Sequence, residues 1–551
     1  RDSYEGGPPN ISATVKAYFA LKLAGASAQQ PELQRARKAA LALGGVQAAN
    51  SFTKIYLAFF RQYDWSAVPA IPPEIILLPE FSYFSVYEMS SWSRAILVPL
   101  SIVWAHKPRR PTPHGAGIEE IFLNGRRNLH PPRDPSNISW RNFFLTVDRA
   151  LKQVERSPFK PLRAQALRAA ENWVLERLQK SDGLGAIYPA MMNAIFALDC
   201  LGYTRDHPVM REALGQFYRF EIEERDTLRL QPCLSPVWDT AISLFALLQA
   251  GTPAESPALV AATDWLLSRQ ALEPGDWAVK NKHGQPGGWY FEFANEFYPD
   301  VDDTAMVLLA LSEGRSAEPE RLRQAIRRGL AWTLSMQGAD GGFAAFDVDN
   351  NHAVFCRVPF ADHNAMLDPS CADIAGRVLE ALARFGYRKG SEPVDRAIAF
   401  LKRTQEPEGC WSGRWGVNYL YGTCFALRGL RAAAEDMHQS YVVRAVEWLR
   451  SVQNPDGGWG ESCESYDNPD LKGVGASTPS QTAWALLGLF AFGDFHSQSA
   501  QRGLEFLLSR QRADGTWDEP YFTGTGFPRV FYLRYHLYRH YLPLLALAEY
   551  A

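Results

Sequence analysis

Residues 444–459, RAVEWLRSVQNPDGGW, join an amphipathic helix to a Gln, a short turn, a Gly and an aromatic residue. The same order recurs in full at residues 261–277, 329–343, 396–411 and 502–517. A weaker copy, residues 171–184, has Leu184 in place of the aromatic residue. Such a repeat predicts stacked helical hairpins, in which Gln caps one helix, Gly closes the turn and the aromatic ring packs on the next helix.

A second motif follows several of these turns and marks the start of another helix. Residues 239–241 and 303–305 read DTA and residues 481–483 read QTA, each at the head of an Ala- and Leu-rich run. More divergent copies occupy residues 373–382 and 418–427. A polar residue before an apolar run is typical of a helix N-terminus. Because runs that alternate with a period of two residues are rare, we predict an all-α fold of alternating outer and inner helices.

Length and composition restrict the possibilities further. The chain has 551 residues, more than one hydrophobic core usually serves, and we predict an N-terminal domain at 1–222 and a C-terminal domain at 223–551. The net charge of −3 predicts no nucleic-acid partner. The longest apolar run, residues 95–105, is shorter than the roughly 20 residues of a membrane-spanning helix. The chain opens at Arg1 rather than Met, so we expect an N-terminal segment of the natural protein to be missing.

Residues 298–305, YPDVDDTA, place Asp300, Asp302 and Asp303 within four positions ahead of an apolar helix. Comparison with the sister repeats assigns capping to Asp303, as it does to Asp239, and leaves Asp300 and Asp302 as additions. Three carboxylates this close repel one another, so at least one should hold its proton well above its usual pKa. A carboxylic acid that stays protonated near neutral pH is suited to general-acid chemistry.

A metal site is the competing interpretation of these aspartates. Magnesium-binding helices of prenyl-diphosphate enzymes carry a third Asp one turn after the first two, and here residues 304–306 are Thr, Ala and Met. Residues 347–350, DVDN, start like a calcium loop but lack its remaining ligands, and we interpret them as a turn. We therefore predict neither a metal nor a cofactor.

With these motifs in view, the chain resembles the squalene–hopene cyclases, a family of class II terpene cyclases. The resemblance rests on DVDDTA at 300–305, on the Gln…Gly-aromatic repeats, which match the family's QW repeats, and on residues 413–422, 457–482 and 521–538. It implies two α/α-barrel domains in a dumbbell around a central cavity, and squalene as the substrate. It also implies a monotopic protein that enters one leaflet at the cytoplasmic face of the bacterial inner membrane, and it allows a homodimer.

The resemblance also assigns roles to individual residues. Asp302 would donate the proton, while Asp300 and Asp303 would share its hydrogen-bond network. Arg377 stands where the family commonly has a His one turn after an Asp, here Asp373. Tyr421 would hold the network near the acid. The residues implied to bind the substrate are Trp92, Ile187, Tyr188, Pro189, Trp238, Phe291, Phe360, Trp415, Phe527, Phe531, Tyr535 and Tyr538.

Within this set the resemblance separates three further roles. Ile187 would shape the fold of the polyene, Phe360 would lie near the entry channel, and Tyr188 and Pro189 would manage the last step. That step is either loss of a proton to give hopene or capture of water to give hopanol. Two alternatives remain: a class II cyclase of another linear polyprenoid, and a non-enzymatic helical-repeat binding protein.

Overall fold

The structure, a computed structural model, describes residues 3–126, 129–130, 133–136, 139–361 and 364–551. Arg1, on which the expectation of a missing N-terminal segment was based, lies outside these residues. None of the helices in the described ranges is long and apolar enough to cross a membrane.

Over the described ranges the chain forms nineteen α-helices and two small antiparallel sheets, so the predicted all-α fold is confirmed. The first nine helices are α1 (Ile11–Leu23), α2 (Pro31–Ala42), α3 (Ser51–Phe59), α4 (Ser91–His106), α5 (Trp140–Arg156), α6 (Arg163–Leu178), α7 (Tyr188–Cys200), α8 (Pro208–Tyr218) and α9 (Pro236–Gln249). The remaining ten are α10 (Pro257–Leu267), α11 (Val301–Glu313), α12 (Pro319–Ser335), α13 (Ala372–Arg384), α14 (Glu392–Thr404), α15 (Tyr419–Ala432), α16 (Ser440–Ser451), α17 (Pro479–Phe492), α18 (Gln498–Arg510) and α19 (Tyr538–Tyr550). The strands are β1 (Glu221–Glu224), β2 (Thr227–Leu230), β3 (Gly524–Phe527) and β4 (Phe531–Leu533).

The chain divides into two compact units that exchange short segments. Unit 1 comprises Arg1–Glu176, Pro189–Gly215 and His352–Leu367. Unit 2 comprises Arg177–Tyr188, Gln216–Asn351 and Asp368–Ala551. The domain boundary at residue 222 stays a prediction. The β1–β2 hairpin occupies residues 221–230, at that boundary.

In unit 2 the inner helices form a closed ring. Each of α9, α11, α13, α15 and α17 packs against the next, and α19 packs against both α17 and α9. The outer helices α10, α12, α14, α16 and α18 pack around this ring. Inner helices such as α17 are buried along almost their whole length, whereas outer helices bury one face only. The predicted alternation of inner and outer helices is therefore observed in unit 2.

The Gln…Gly-aromatic repeats join the layers by hydrogen bonds that differ from those predicted. The Gln405 side chain donates to the Gly409 carbonyl in its turn and to the Tyr441 carbonyl in the first turn of the next outer helix. The helix-end carbonyl of Leu401 instead accepts from the indole of Trp411, at 2.8 Å. Gln therefore links its own turn to the neighbouring outer helix, whereas Trp caps the C-terminal end of the helix that precedes it.

The repeat at 261–277 has a different aromatic partner from the one predicted. The indole of Trp289, not that of Trp277, donates to Leu266 at the end of α10. Trp277 packs edge-on against Trp332, at 5.9 Å between ring centroids. A longer loop separates Gln270 from its Gly-Gly-Trp, so the spacing of the other copies gave the wrong residue.

Two glycines let α13 and α15 approach closely. A Cβ added to Gly376 would lie 2.2 Å from the Phe425 carbonyl oxygen, and one added to Gly429 would lie 2.3 Å from that of Gly376. Only glycine leaves room for backbones at this distance. Gly376 precedes Arg377, and α15 carries Tyr421, so this contact sets the distance between two predicted site residues.

We expect Gly376→Ala to destabilise unit 2 by about 1–3 kcal/mol, because the added methyl group must push the two helices apart. The same change should also move Arg377 away from Tyr421. Thermal unfolding followed by circular dichroism would measure the first effect. Gly215→Ala is the control, since a Cβ at that helical position in α8 meets nothing within 4 Å; an equal loss of stability in both variants would contradict the close-packing argument.

Candidate active site

The N-terminus of α11 carries the three aspartates, and Asp300 is its capping residue. The Asp303 amide donates to Asp300 Oδ1 at 2.8 Å. Thr478 caps α17 in the same way by accepting from the Gln481 amide. The prediction that Asp303 caps and that Asp300 is an addition was therefore wrong, because the cap side chain bonds the amide three residues later. Asp239 likewise does not cap α9; it accepts from Ser235 and Tyr541 side chains.

At two other inner helices, an acidic side chain from a neighbouring loop binds the amides at the helix start. Glu461 accepts from the Asn418 and Leu420 amides at the start of α15, and Glu519 accepts from the Ser480 amide at the start of α17. Each Glu follows its repeat's Trp by two residues. At the corresponding place for α11 stands Ala345, whose carbonyl accepts from Val301. The positive end of the α11 dipole therefore acts on that helix's own aspartates.

Asp302 forms the centre of a buried ion pair. Arg377 Nε donates to Asp302 Oδ1 at 2.6 Å, and Arg377 Nη2 donates to the Tyr421 hydroxyl at 2.8 Å. Burial raises the pKa of Asp302, Arg377 acts to lower it, and Asp373 acts to raise it. Burial also holds the pKa of Tyr421 well above its usual range. Burial and the permanent positive charge of Arg377 thus act on the pKa of Asp302 in opposite directions, and burial has the larger effect.

Asp300 and Asp303 are two further buried carboxyl groups at the start of α11. Burial raises the pKa of Asp300 to about 7, and a hydrogen bond from Asp303 opposes that rise. Burial and then the charge of Asp300 hold the pKa of Asp303 well above its usual range. Glu292, also buried, has its pKa raised well above the usual range by burial, and Asn295 donates to it at 3.0 Å. Burial is the main cause of all three raised pKa values, and the charges of neighbouring carboxylates add to it.

Asp373 binds the backbone of the loop that carries Trp415. Its Oδ2 accepts from the backbone amides of Arg414 and Trp415, at 2.8 and 3.0 Å. Because Asp373 occupies the second position of α13, as Asp302 does in α11, the two carboxylates come from equivalent places in neighbouring inner helices.

Several of the predicted aromatic residues contact one another in unit 2. The Trp238 indole donates to the Tyr538 hydroxyl at 3.1 Å, and Tyr535 stacks on Tyr538 at 4.5 Å between centroids. Phe291 meets Tyr535 edge-on at 6.2 Å. Phe527 and Phe531 form a further pair on β3 and β4, at 6.0 Å. The structure therefore brings together, within unit 2, most of the predicted lining residues.

The other predicted residues lie elsewhere in the chain. Trp92, Pro189 and Phe360 belong to unit 1, where the Trp92 indole donates to the Ala365 carbonyl at 2.5 Å. Ile187 and Tyr188 belong to unit 2, and the Tyr188 ring packs on Phe217 at 5.7 Å.

Several contacting residues were missed from the sequence. The Arg377 guanidinium lies 3.9 Å from the ring centroid of Phe425, and Trp484 packs on Tyr421 at 4.8 Å. Phe346 meets Trp415 edge-on at 6.4 Å. Phe425 follows the predicted site residue Tyr421 by four residues, so helical spacing could have identified it. Trp484 follows Gln481, which is the helix-start residue of its repeat and not a predicted site residue, by three positions. Phe346 lies on a loop, where no period points to it.

The aspartates form no recognisable metal centre. Over the residues that the structure describes, no group of three or more His, Cys, Asp or Glu side chains is arranged to hold a metal ion. Residues 347–350 form a turn, as predicted: Asp349 has a φ of 53°, and its carboxylate accepts from the Ala339 amide.

Comparison with known proteins agrees with this geometry. The family model described as squalene-hopene cyclase N-terminal domain matches residues 2–226, and the model described as squalene-hopene cyclase C-terminal domain matches residues 234–551. The squalene–hopene cyclase of Zymomonas mobilis is 42% identical over 561 residues, covering 99% of this chain and 84% of its own length. The squalene–hopene cyclase of Alicyclobacillus acidocaldarius is 42% identical over 548 residues, covering 99% and 86%.

A relative with a different name has a similar sequence identity. Dammaradiene synthase of Dryopteris crassirhizoma is 41% identical over 570 residues, covering 99% of this chain and 83% of its own length. The two family models together span nearly the whole sequence, and relatives above 40% identity carry the family's name. Both findings agree with the DVDDTA motif at 300–305 and with the ring of helices. The chain belongs to the squalene–hopene cyclase family.

Proposed function

We propose that this protein cyclises squalene to the pentacyclic hydrocarbon hopene, with hopanol as a second product when water captures the final cation. One observation carries the mechanism: Asp302 is held by Arg377 at 2.6 Å, at the aromatic end of a closed ring of helices. Protonating an isolated alkene creates a tertiary carbocation, which requires a strong acid in a dry site.

Asp302 is the proton donor in this mechanism. Its Oδ1 accepts from Arg377, which leaves Oδ2 to carry the proton toward the terminal double bond. The guanidinium stabilises the carboxylate that remains after transfer and so strengthens the acid. Burial raises the pKa values of Asp300 and Asp303 as well, which disfavours further negative charge beside Asp302.

The proton must be restored after each cycle. Arg377 cannot supply it, because a guanidinium does not release its proton at accessible pH. The Tyr421 hydroxyl lies within hydrogen-bond distance of Arg377 and lines a cavity inside the helical ring together with Trp238, Trp484 and Tyr538. We assign the return of the proton to water in this region.

The cation then moves along the folded polyene between aromatic faces. Trp238, Phe291, Trp415 and Tyr538 attract positive charge through their ring quadrupoles and offer no strong base. Tyr188 and Pro189 are assigned to the last step, in which a proton is lost or water is added.

A membrane surface is part of the same proposal. Along α5, residues 140, 143, 147 and 154 present Trp, Phe, Val and Val with exposures of 52%, 50%, 37% and 64%. This spacing forms one apolar face, here called the α5 stripe, and exposed Phe159 and Leu162 follow it. We propose that the α5 stripe enters one leaflet at the cytoplasmic face of the bacterial inner membrane; a homodimer remains a prediction.

Incubation of the protein with squalene in detergent, followed by mass spectrometry of the lipids, tests the function. We expect pentacyclic product, and Asp302→Asn should lower its rate at least about 100-fold because an amide is not a general acid. Product only from another polyene would favour a different class II cyclase, and none from any polyene would favour a binding protein. Glu519→Gln is the control, since that buried carboxyl serves helix α17 and should keep turnover at reduced stability.

The pH dependence of turnover tests the role of Arg377. Asp302 must be protonated to act, so turnover falls as pH rises through its pKa. Arg377 lowers that pKa, and we expect Arg377→Gln to move the fall to higher pH while reducing the maximal rate. Arg384→Gln, on the same helix but paired with Glu313, should leave the profile in place. An unshifted profile in Arg377→Gln would remove Arg377 from the acid.

Vesicle flotation tests the α5 stripe. With vesicles of phosphatidylcholine and phosphatidylglycerol, we expect the protein to float and the double variant Phe143→Glu, Val147→Glu to stay in the dense fraction, because charges on the stripe oppose insertion. Turnover of detergent-solubilised squalene should be unchanged. Leu508→Glu, an exposed apolar site of unit 2 with 59% exposure, is the control. Undiminished flotation of the double variant would place the membrane contact elsewhere.

A further inference from the structure

Arg414 lies in a short loop between two glycines that is anchored on both sides. The Tyr466 hydroxyl contacts the carbonyl oxygens of Gly413 and Gly416, at 2.9 and 2.7 Å. A Cβ on Gly416 would lie 2.4 Å from the Tyr421 ring, so this ring packs directly on the loop. The Arg414 amide donates to Asp373, as described above. The loop is therefore tied to both Asp373 and Tyr421 of the acid network.

The Arg414 side chain donates a hydrogen bond to a bulge in the β3–β4 strand pair. β3 and β4 pair in register except between Thr525 and Phe527, where Gly526 is an extra residue. A bulge of this kind takes the extra residue out of the strand ladder. Arg414 Nη1 donates to the Gly526 carbonyl at 3.1 Å. Arg414 thereby supplies a donor to the bulge that turns Phe527 toward Phe531.

The same guanidinium covers one face of Trp415. Its central carbon lies 4.5 Å from the indole ring centroid. Burial lowers the pKa of Arg414, and the carboxylates of Asp368 and Asp373 act in the opposite direction. Because one face of the indole already holds a cation, only the opposite face and the ring edges remain available to the cation of a passing substrate.

We propose that Arg414 is a positioning residue for the cyclisation cascade: it fixes Trp415 and Phe527 relative to each other and keeps the carbonyl at the bulge from acting as a hydrogen-bond acceptor for water. This inference rests on the proposed function, and it concerns completion of the cascade rather than its initiation. Arg414 links the backbone held by Asp373, the face of Trp415 and the bulge at Gly526, which no other residue described above does.

The physical consequence follows from what quenches a carbocation. Without Arg414, the Gly526 carbonyl is free to bind a water molecule close to Trp415. That water removes a proton from the carbon next to the cation, and the C–H electron pair becomes a double bond; alternatively it adds to the cation and loses a proton of its own. Either event ends the cascade early and releases a mono- to tetracyclic product.

The test compares the product spectra of the wild type, Arg414→Met and Arg414→Lys with squalene in detergent. For Arg414→Met we expect the ratio of incompletely cyclised to pentacyclic products to rise about ten-fold, the change in branching that loss of about 1.4 kcal/mol would give. Arg414→Lys keeps a charge and one donor, and it should restore part of the wild-type spectrum. If Arg414→Met does not fold, the direction of the change in Arg414→Lys decides.

Two controls separate positioning from general destabilisation. Arg396 also donates from its guanidinium to a loop carbonyl, that of Gly338 at 2.6 Å, but on an outer helix; Arg396→Met should lower the melting temperature and leave the product spectrum unchanged. In a Trp415→Ala background, Arg414→Met should add little to the early products, since contacting residues that act together are not additive.

Three results would overturn the inference. The first is an unchanged spectrum in a folded Arg414→Met, the second is the same spectrum from Arg396→Met, and the third is full additivity with Trp415→Ala. Each can be told apart from failure of the proposed function, because the wild type in the same assay must make hopene. A wild type that makes no cyclised product overturns the proposed function and this inference with it.

Discussion

The buried contact between Arg377 and Asp302 is the interaction on which the site depends. Burial alone would leave Asp302 protonated but weakly acidic, and a cation alone would leave it ionised. Here both act at once: burial raises the pKa of Asp302, and Arg377 lowers it. Gly376 and Gly429 let α13 and α15 approach closely, and this approach places the Tyr421 hydroxyl within reach of Arg377. A backbone constraint without any polar group thus fixes the second hydrogen-bond partner of the guanidinium that holds Asp302.

The ring of inner helices explains why the acid stands at one end. In the segments described, the starts of α11, α13 and α15 carry Asp302, Asp373 and Tyr421. Glu461 and Glu519 neutralise the starts of α15 and α17 from neighbouring loops, whereas α11 receives only the carbonyl of Ala345. The dipole at the start of α11 therefore acts on that helix's own three aspartates.

Prediction from the sequence succeeded where the pattern was local and failed where reach or loop length decided. The repeats predicted alternating inner and outer helices, which unit 2 shows. The three aspartates predicted raised pKa values from mutual repulsion, whereas burial is the main cause of the rise. The capping role was given to Asp303, although Asp300 fills it, because two carboxylates three residues apart both suit a helix start. Trp277 was predicted to be the aromatic residue of the repeat at 261–277, but Trp289 fills that place. The longer loop after Gln270 also contains a Gly and a Trp near the expected spacing, so the sequence alone did not reveal the insertion. The roles of the individual site residues remain proposals.

The sequence by itself determined the all-α class, the repeated hairpins and the crowding of three carboxylates, since each depends on neighbouring residues and on helical periods. Only the tertiary structure decided which partners those groups meet. Arg377 and Asp302 are 75 residues apart, and Arg414 and Gly526 are 112 apart. Such pairs arise from closing the ring and from the bulge in β3, and neither leaves a period in the chain. The local sequence therefore sets the cluster of carboxylates, and packing sets the burial and the arginine contact that act on the pKa of Asp302.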